Sequence, residues 1–135
     1  MDVKTYDPLK VNLVVKGVTI TGFADGSIIE VERNEDAISP YVGTKGEVAI
    51  AESADKTGTF KITLMSTSPS VQYLNTLAKQ KGDDAAFPVS LVNMNTNAIS
   101  ATATTCRVKK MATESIDKEV TEREFEIFAA DLDMI

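Results

Sequence analysis

The stretch from Thr59 to Met65, TFKITLM, decides the fold class. Phe60, Ile62 and Leu64 alternate with Thr59, Lys61 and Thr63, a period of two that puts one set on each face of a pleated strand. A helix would gather residues three or four apart on one face and scatter this pattern. Upstream, a strand over 47–52 reaches TFKITLM through the turn-rich Ala54-Asp55-Lys56-Thr57-Gly58. Further back, Val11, Leu13 and Val15, then Lys16-Gly17, then Val18 and Ile20, read as a hairpin, and Asp25-Gly26 marks another turn. A strand over 27–33 follows, with Ile29 and Val31 on one face and Glu30 and Glu32 on the other. Residues 34–45, NEDAISPYVGTK, follow neither period and contain Pro40 and Gly43, so they are expected to form a long loop.

Downstream of TFKITLM the pattern changes once. Ser68 suits a helix N-cap, Pro69 the first helical position, and Val71, Leu74, Leu77 and Ala78 form an apolar stripe closed by Lys79, Lys81 and Gly82. One helix over about 69–81 is expected. Strands over 87–94 and 98–110 flank Asn95-Thr96-Asn97, and a last strand lies near 120–129. Strands dominate around a single helix, so the fold class is mainly β: an antiparallel β-sandwich or partly closed β-barrel with one flanking helix. Few prolines blunt the sheet edges, so charges protect them or other copies of the chain pair with them.

The chain has 135 residues, 43% hydrophobic and 25% charged, which fits one globular domain, 1–135, with its own core. No apolar run approaches the roughly 20 residues that span a bilayer, and the N-terminus lacks a signal-peptide layout, so synthesis in the cytoplasm without membrane insertion is expected. Histidine is absent, which removes Ser-His and Cys-His catalysis and the usual zinc sites. The lone Cys106 has no cysteine partner within the chain and no histidine to activate it; it is expected to be buried and inert. The net charge of −6 is concentrated in one segment: residues 1–110 hold 12 acidic and 12 basic side chains, and 111–135 hold 8 acidic and 2 basic. Such a chain is poorly built to grip nucleic acid.

Glu122, Glu124 and Glu126 fall on every second position of the last strand and form a row on one face, with Arg123, Phe125 and Ile127 on the other. Evenly spaced acids on an open strand lack the differentiated environments of a catalytic pair, and the row reads as a solvated face offset by Arg107 and Lys109, or as a surface that repels phosphate. Asp83-Asp84 has no companions at calcium-loop spacing, and Gly43, Lys45 and Gly46 are not arranged as a phosphate loop. No catalytic, metal or cofactor residues are therefore assigned.

The segments TGFADGSIIEVERNEDAIS (21–39), VGTKGEVAIAES and TGTFKITLMSTSPSVQYLNTL, in that order and spacing, resemble tail tube proteins of contractile-tailed phages and related prophage particles. The most specific parts are Gly22-Phe23-Ala24-Asp25-Gly26, Glu32-Arg33-Asn34-Glu35-Asp36, Gly43 to Glu47 and Thr67-Ser68-Pro69-Ser70. The resemblance spans about 6–132. It implies a virion structural protein, not an enzyme, forming stacked hexameric rings whose inner sheets join into a channel, with an architecture similar to the type VI secretion inner tube. The implied partners are further copies of itself, a tape-measure protein, and sheath and baseplate proteins, with DNA passing through unbound. On this resemblance Asp36, Ile38, Tyr41, Val42 and Lys45 would contact a neighbouring subunit or ring, and 1–10 would be a stacking arm. Glu30 and Glu32 compete with Glu122, Glu124 and Glu126 to face the lumen. Relatives often carry a large aromatic in the penultimate strand, where this chain has Cys106-Arg107-Val108. The competing expectations are a tail terminator or baseplate adaptor of the same fold, monomeric or ring-forming, and a small enzyme using paired acids.

Overall fold

The computed structural model describes residues 3–26, 28–96 and 98–135; Met1 and Asp2 of the expected arm, Ser27 at the start of the expected strand 27–33, and Asn97 of the expected turn lie outside the described residues. The first hairpin joins β1 (Val11–Val15) to β2 (Val18–Thr19), with Val15 opposite Val18 across Lys16-Gly17. The strand after Asp25-Gly26 is β3 (Ile29–Arg33), and TFKITLM lies in β6 (Gly58–Met65). The helix, α1 (Pro69–Lys79), stops two residues short of the expected end. It is followed by β7 (Phe87–Asn93), β8 (Ala98–Lys110), β9 (Glu122–Ala129) and a short β10 (Asp133–Met134) that the alternation did not announce.

These strands form one antiparallel sheet in the order β2-β1-β7-β8-β9-β6-β3, with β10 also on β8. From β1 to β6 is four strand steps, about 19 Å on a flat sheet. Leu13 and Val15 of β1 nevertheless share one packed core with Phe60, Ile62 and Leu64 of β6, so the sheet folds over on itself as a sandwich. Its end strands β2 and β3 do not pair with each other, so no barrel closes.

The corner of the sandwich lies in β8. Residues 98–103 pair with β7 and β10, whereas 106–110 pair with β9, Cys106 still meeting Phe87 of β7 on its other side. At the corner between them, Asp131 Oδ1 accepts the N–H groups of Thr104 at 3.1 Å and Thr105 at 3.0 Å, and its Oδ2 accepts the Thr104 hydroxyl. Backbone groups that the bend takes out of the ladder thus find a carboxylate, which satisfies them without water. The Thr104 hydroxyl, followed by these amides, holds the Asp131 carboxyl below its ordinary range.

Helix α1 starts as its sequence dictates, with Ser68 Oγ accepting from Ser70 N. Leu74 and Leu77 enter the core, and Tyr73 donates its hydroxyl to Val15 O at 3.0 Å. Two of the stretches that carry the family resemblance meet here: Thr21 N donates to Ser70 Oγ, and Ser68 Oγ donates to Thr21 O. Gly22 makes this approach possible, because its φ is +75° and a Cβ there would lie 2.6 Å from the Ser68 side chain. Cys106 is buried, and desolvation, followed by the Asp131 charge, pushes its thiol up to about 12, against a smaller lowering by the Val89 N–H.

Residues 34–45 differ from expectation. They contain β4 (Ile38–Val42), which pairs with β5 (Val48–Glu52) in a separate two-stranded sheet. Pro40 obscured the period without breaking the strand. The bonds Ser53 N to Ala37 O and Gly43 N to Glu47 O set the odd-numbered residues of β4 as the hydrogen-bonded ones. Pro40 occupies an outward-facing backbone position, where its missing N–H costs no ladder bond.

Candidate assembly surface and channel face

Two surfaces concentrate the residues singled out in the sequence. The first is the outer face of the half-sheet β3-β6-β9-β8. The core-facing side chains of β6 and β9 point inward, including Phe60, Ile62, Leu64, Phe125 and Ile127, all fully buried. The alternate residues therefore point outward, and strand register aligns them across the sheet. Glu30 lies opposite Lys61, Lys61 opposite Glu126, and Glu126 opposite Lys110. The next row is Glu32, Thr59, Phe128 and Arg107. The two acidic groups that competed in the sequence, Glu30/Glu32 and Glu122/Glu124/Glu126, thus stand on one face, separated only by β6.

This face is not uniformly acidic. Glu126 is shared between Lys61 Nζ at 4.0 Å and Lys109 Nζ at 3.9 Å, both part-exposed pairs of small energetic weight. Arg107 forms no ion pair with the row; it donates to Gln80 O at the end of α1 at 2.9 Å. A shallow groove of about 400 Å³ runs beside β9, lined by Glu122, Glu124 and Glu126 and by Lys110, Met111 and Ala112 of the following connection. Its carboxylates stand in a line on an open sheet, and Thr113 and Ser115 complete the lining. Arg123, on the opposite side of β9, is buried; its Nη1 donates to Thr121 Oγ1 at 2.7 Å and Glu122 O at 3.2 Å.

The second surface is the β4–β5 hairpin. Every residue of both strands is exposed. The register stacks Ile38, Pro40 and Val42 on the same face as Val48 and Ile50, with Glu52 opposite Ile38 at one end, leaving a largely apolar face in water. Val42, Val48 and Ile50 are 65%, 63% and 60% exposed. Of the five sequence-chosen contact residues, Ile38 and Val42 share this face, and Tyr41 points from the other. Asp36 precedes β4 and Lys45 lies in the turn, where Gly46 N donates to Gly43 O at 3.0 Å. Sequence reading missed Val48 and Ile50. The signal was their alternation with Ala49 and Ala51, which identified a strand but not which of its faces would be left uncovered.

At its root the hairpin is held by polar contacts. Asn34 Nδ2 donates to Thr57 Oγ1, and Asp55 Oδ1 accepts the Thr57 hydroxyl at 2.7 Å and its amide at 2.8 Å. The Thr57 hydroxyl, followed by the amide, lowers the Asp55 carboxyl from its ordinary value. A second projection is the segment 3–10. Asp7 and Asn95 exchange bonds, Asp7 N to Asn95 Oδ1 and Asn95 Nδ2 to Asp7 O, each at 3.0 Å, which pins this segment to the β7–β8 turn while Val3, Tyr6 and Leu9 remain exposed. The whole chain has 9378 Å² of accessible surface. A compact monomer of 14.6 kDa would have about 6,900 Å². Among the described residues no helix is long and apolar enough to cross a membrane, and no group of His, Cys, Asp and Glu is placed to hold a metal ion.

The sequence profile of a family described as bacteriophage PhiTE tail tube protein matches residues 5–135. No curated protein matches the chain significantly in sequence. Among solved structures, the sheath/tube terminator of the extracellular contractile injection system PVC, in its extended state, superposes with a TM-score of 0.61 at 10% identity, covering 98% of each chain. The tube-terminating cap of the anti-feeding prophage gives a TM-score of 0.59 at 7% identity, covering 100% of this chain and 94% of the other. A chain of the PVC sheath-tube complex, also extended, gives 0.58 at 8% identity, covering 97% and 93%. At these identities the likeness is one of fold.

Proposed function

The chain belongs to the bacteriophage PhiTE tail tube protein family, and we propose that it is the repeating subunit of the tube, assembling into stacked hexameric rings around a central channel. It is a structural tail component, not an enzyme. The observation that carries the assembly reading is the β4–β5 hairpin. A two-stranded sheet with water on both faces is marginal by itself, and one that leaves Ile38, Pro40, Val42, Val48 and Ile50 uncovered calls for a second copy to bury them. Asp36, Tyr41 and Lys45 then lie at the border of that contact, and the segment 3–10 supplies a second stacking element on a single domain.

In this reading the face carrying Glu30, Glu32, Glu122, Glu124 and Glu126 lines the lumen. The tape-measure protein occupies the channel during assembly in the host cytoplasm, and DNA later crosses it without specific binding. Sheath and baseplate proteins contact the outside and the end of the tube. Phosphate meets carboxylates interleaved with lysines, a lining that offers no continuous basic track for DNA to grip.

Negative-stain electron microscopy of the purified chain across a concentration series, with light scattering for mass, tests this proposal. Rings or tubes with an open channel are expected, and a baseplate extract should seed tubes if the subunit waits as a monomer. A second reading is favoured by the fold likeness to a terminator and a cap: a ring that closes the tube end. Single rings that never stack at any concentration, seeded or not, would establish that reading in place of the first.

A further inference from the structure

We infer that the lumen half-sheet closes its ring through an ion-coded junction, with the acidic edge strand β3 of one copy lying antiparallel to the basic end of β8 of the next. This rests on the proposed ring assembly and specifies how its neighbouring copies recognise each other. Three features of the half-sheet lead to it.

The first is that the half-sheet has two open edges. Among the described residues β3 pairs only with β6, and the bonds Thr63 N to Ile28 O and Asn34 N to Thr57 O fix the even-numbered residues of β3 as those bonded to β6. The N–H and C=O groups of Ile29, Val31 and Arg33 therefore point away from the sheet. At the opposite edge, β7 accompanies β8 only as far as Cys106, so among the described residues no strand pairs with 107–110 on the side away from β9. The bond from Ala130 N to Thr105 O places Val108 among the residues whose backbone groups face that open side.

The second is strand direction. Four strands in antiparallel succession leave β3 antiparallel to β8. Rotation about a ring axis preserves these directions, so β8 of one copy meets β3 of the next as an ordinary antiparallel pair, and the repeat can continue around the ring. A two-fold axis would also make an antiparallel pair, β3 with β3, but that contact ends in a dimer. Backbone geometry alone does not choose between them.

Charge does choose. The row Glu30, Lys61, Glu126, Lys110 alternates in sign across the four strands, and only the head-to-tail junction continues it, with Lys110 of one copy beside Glu30 of the next. The neighbouring row begins with Glu32 and ends with Arg107, and the exposed Lys109 adds to the basic edge. In a β3–β3 dimer centred on Val31, Glu30 would face Glu32 twice, and like charges directly opposite are destabilising. The edge carboxylates thus act against the dead-end dimer as well as for the ring.

The test mixes two charge-reversed chains, Glu30→Lys/Glu32→Lys and Lys109→Glu/Lys110→Glu. Each sets like charges against one another where position 30 of one copy meets position 110 of the next, with Arg107 unchanged in both, so each alone should lose ring or tube mass by about tenfold or more, while an equimolar mixture restores opposite charges in that row and recovers it by alternating the two around a ring of even number. Wild-type rings should also form less readily between 0.15 and 1 M salt, where the Debye length falls from about 8 to 3 Å. If a reversal lowers the melting temperature, Glu30→Gln/Glu32→Gln replaces it; with the repulsion gone, this variant is expected to yield dimers cross-linked between β3 strands. Variants that assemble alone as well as the wild type would overturn the junction and leave the tube reading standing. Folded variants that fail both alone and together would overturn it in the same way. A wild-type chain that never assembles, seeded or not, would remove both.

Discussion

The ladder of β6 with β9 and the hairpin of β4 with β5 are both antiparallel and both alternate apolar with other residues, yet they end in opposite environments. In β6 every inward residue from Phe60 to Leu64 is fully buried, because α1 and the folded-over half of the sheet lie above it. In β4 and β5 every residue is exposed, because the hairpin has only two strands and none of the other described residues covers either face. The same local pattern therefore serves two purposes. In the ladder its apolar face builds the core of the monomer, and in the hairpin it stays in water, where the proposed contact between copies would cover it.

Variants sharpen this contrast by separating folding from assembly. Phe60→Ala empties a large, fully buried site and should cost about 3–5 kcal/mol; denaturant unfolding measures it, and a small effect would mean that the ladder is not the core of the monomer. Gly58→Ala should cost about 1–3 kcal/mol by overpacking, since a Cβ there would run into the Leu132 side chain and lie 2.9 Å from Glu32 O.

Asp131→Asn leaves the corner of β8 with a neutral acceptor and should cost about 1–2 kcal/mol at neutral pH. Because the carboxyl sits below its ordinary value in the folded chain, its contribution is fully present above the unfolded value of about 4 and is lost as pH falls through the lower folded one. The variant should therefore show a flatter loss of stability below about pH 4 than the wild type, read from thermal melts against pH.

Val42→Glu and Ile50→Glu should change monomer stability by no more than about 0.5 kcal/mol, since both sites are exposed. Both should nevertheless reduce tube formation in the microscope; tubes of unchanged length would break the comparison at its hairpin end. The smallest effect on both folding and assembly is expected for the triple replacement of Glu122, Glu124 and Glu126 by Gln. Assembly should persist while DNA delivery slows, and full infectivity would remove that row from the channel.

Much of this was legible in the residues. TFKITLM defined its strand and both of its faces, and Ser68-Pro69 defined the start of the helix, because alternation and capping depend on neighbours a few positions away. The strand within 34–45 was not legible, since Pro40 interrupts the pattern of residue types while leaving the ladder bonds intact. Nor was the role of Asp131, whose partners Thr104 and Thr105 are far away in sequence and are joined to it only by the bend of β8.

By itself the sequence determined which segments alternate, where the helix begins, that the chain lacks histidine chemistry, and that acidic residues recur at every second position in two places. It could not relate those two places. Glu30 and Glu126 are separated by almost a hundred residues, and only the pairing of β3 and β9 with the same β6 put them in one row with Lys61 between. Alternation fixes the two faces of each strand, but which strands become neighbours, and which apolar face is left without a cover, is set by long-range packing around a shared core.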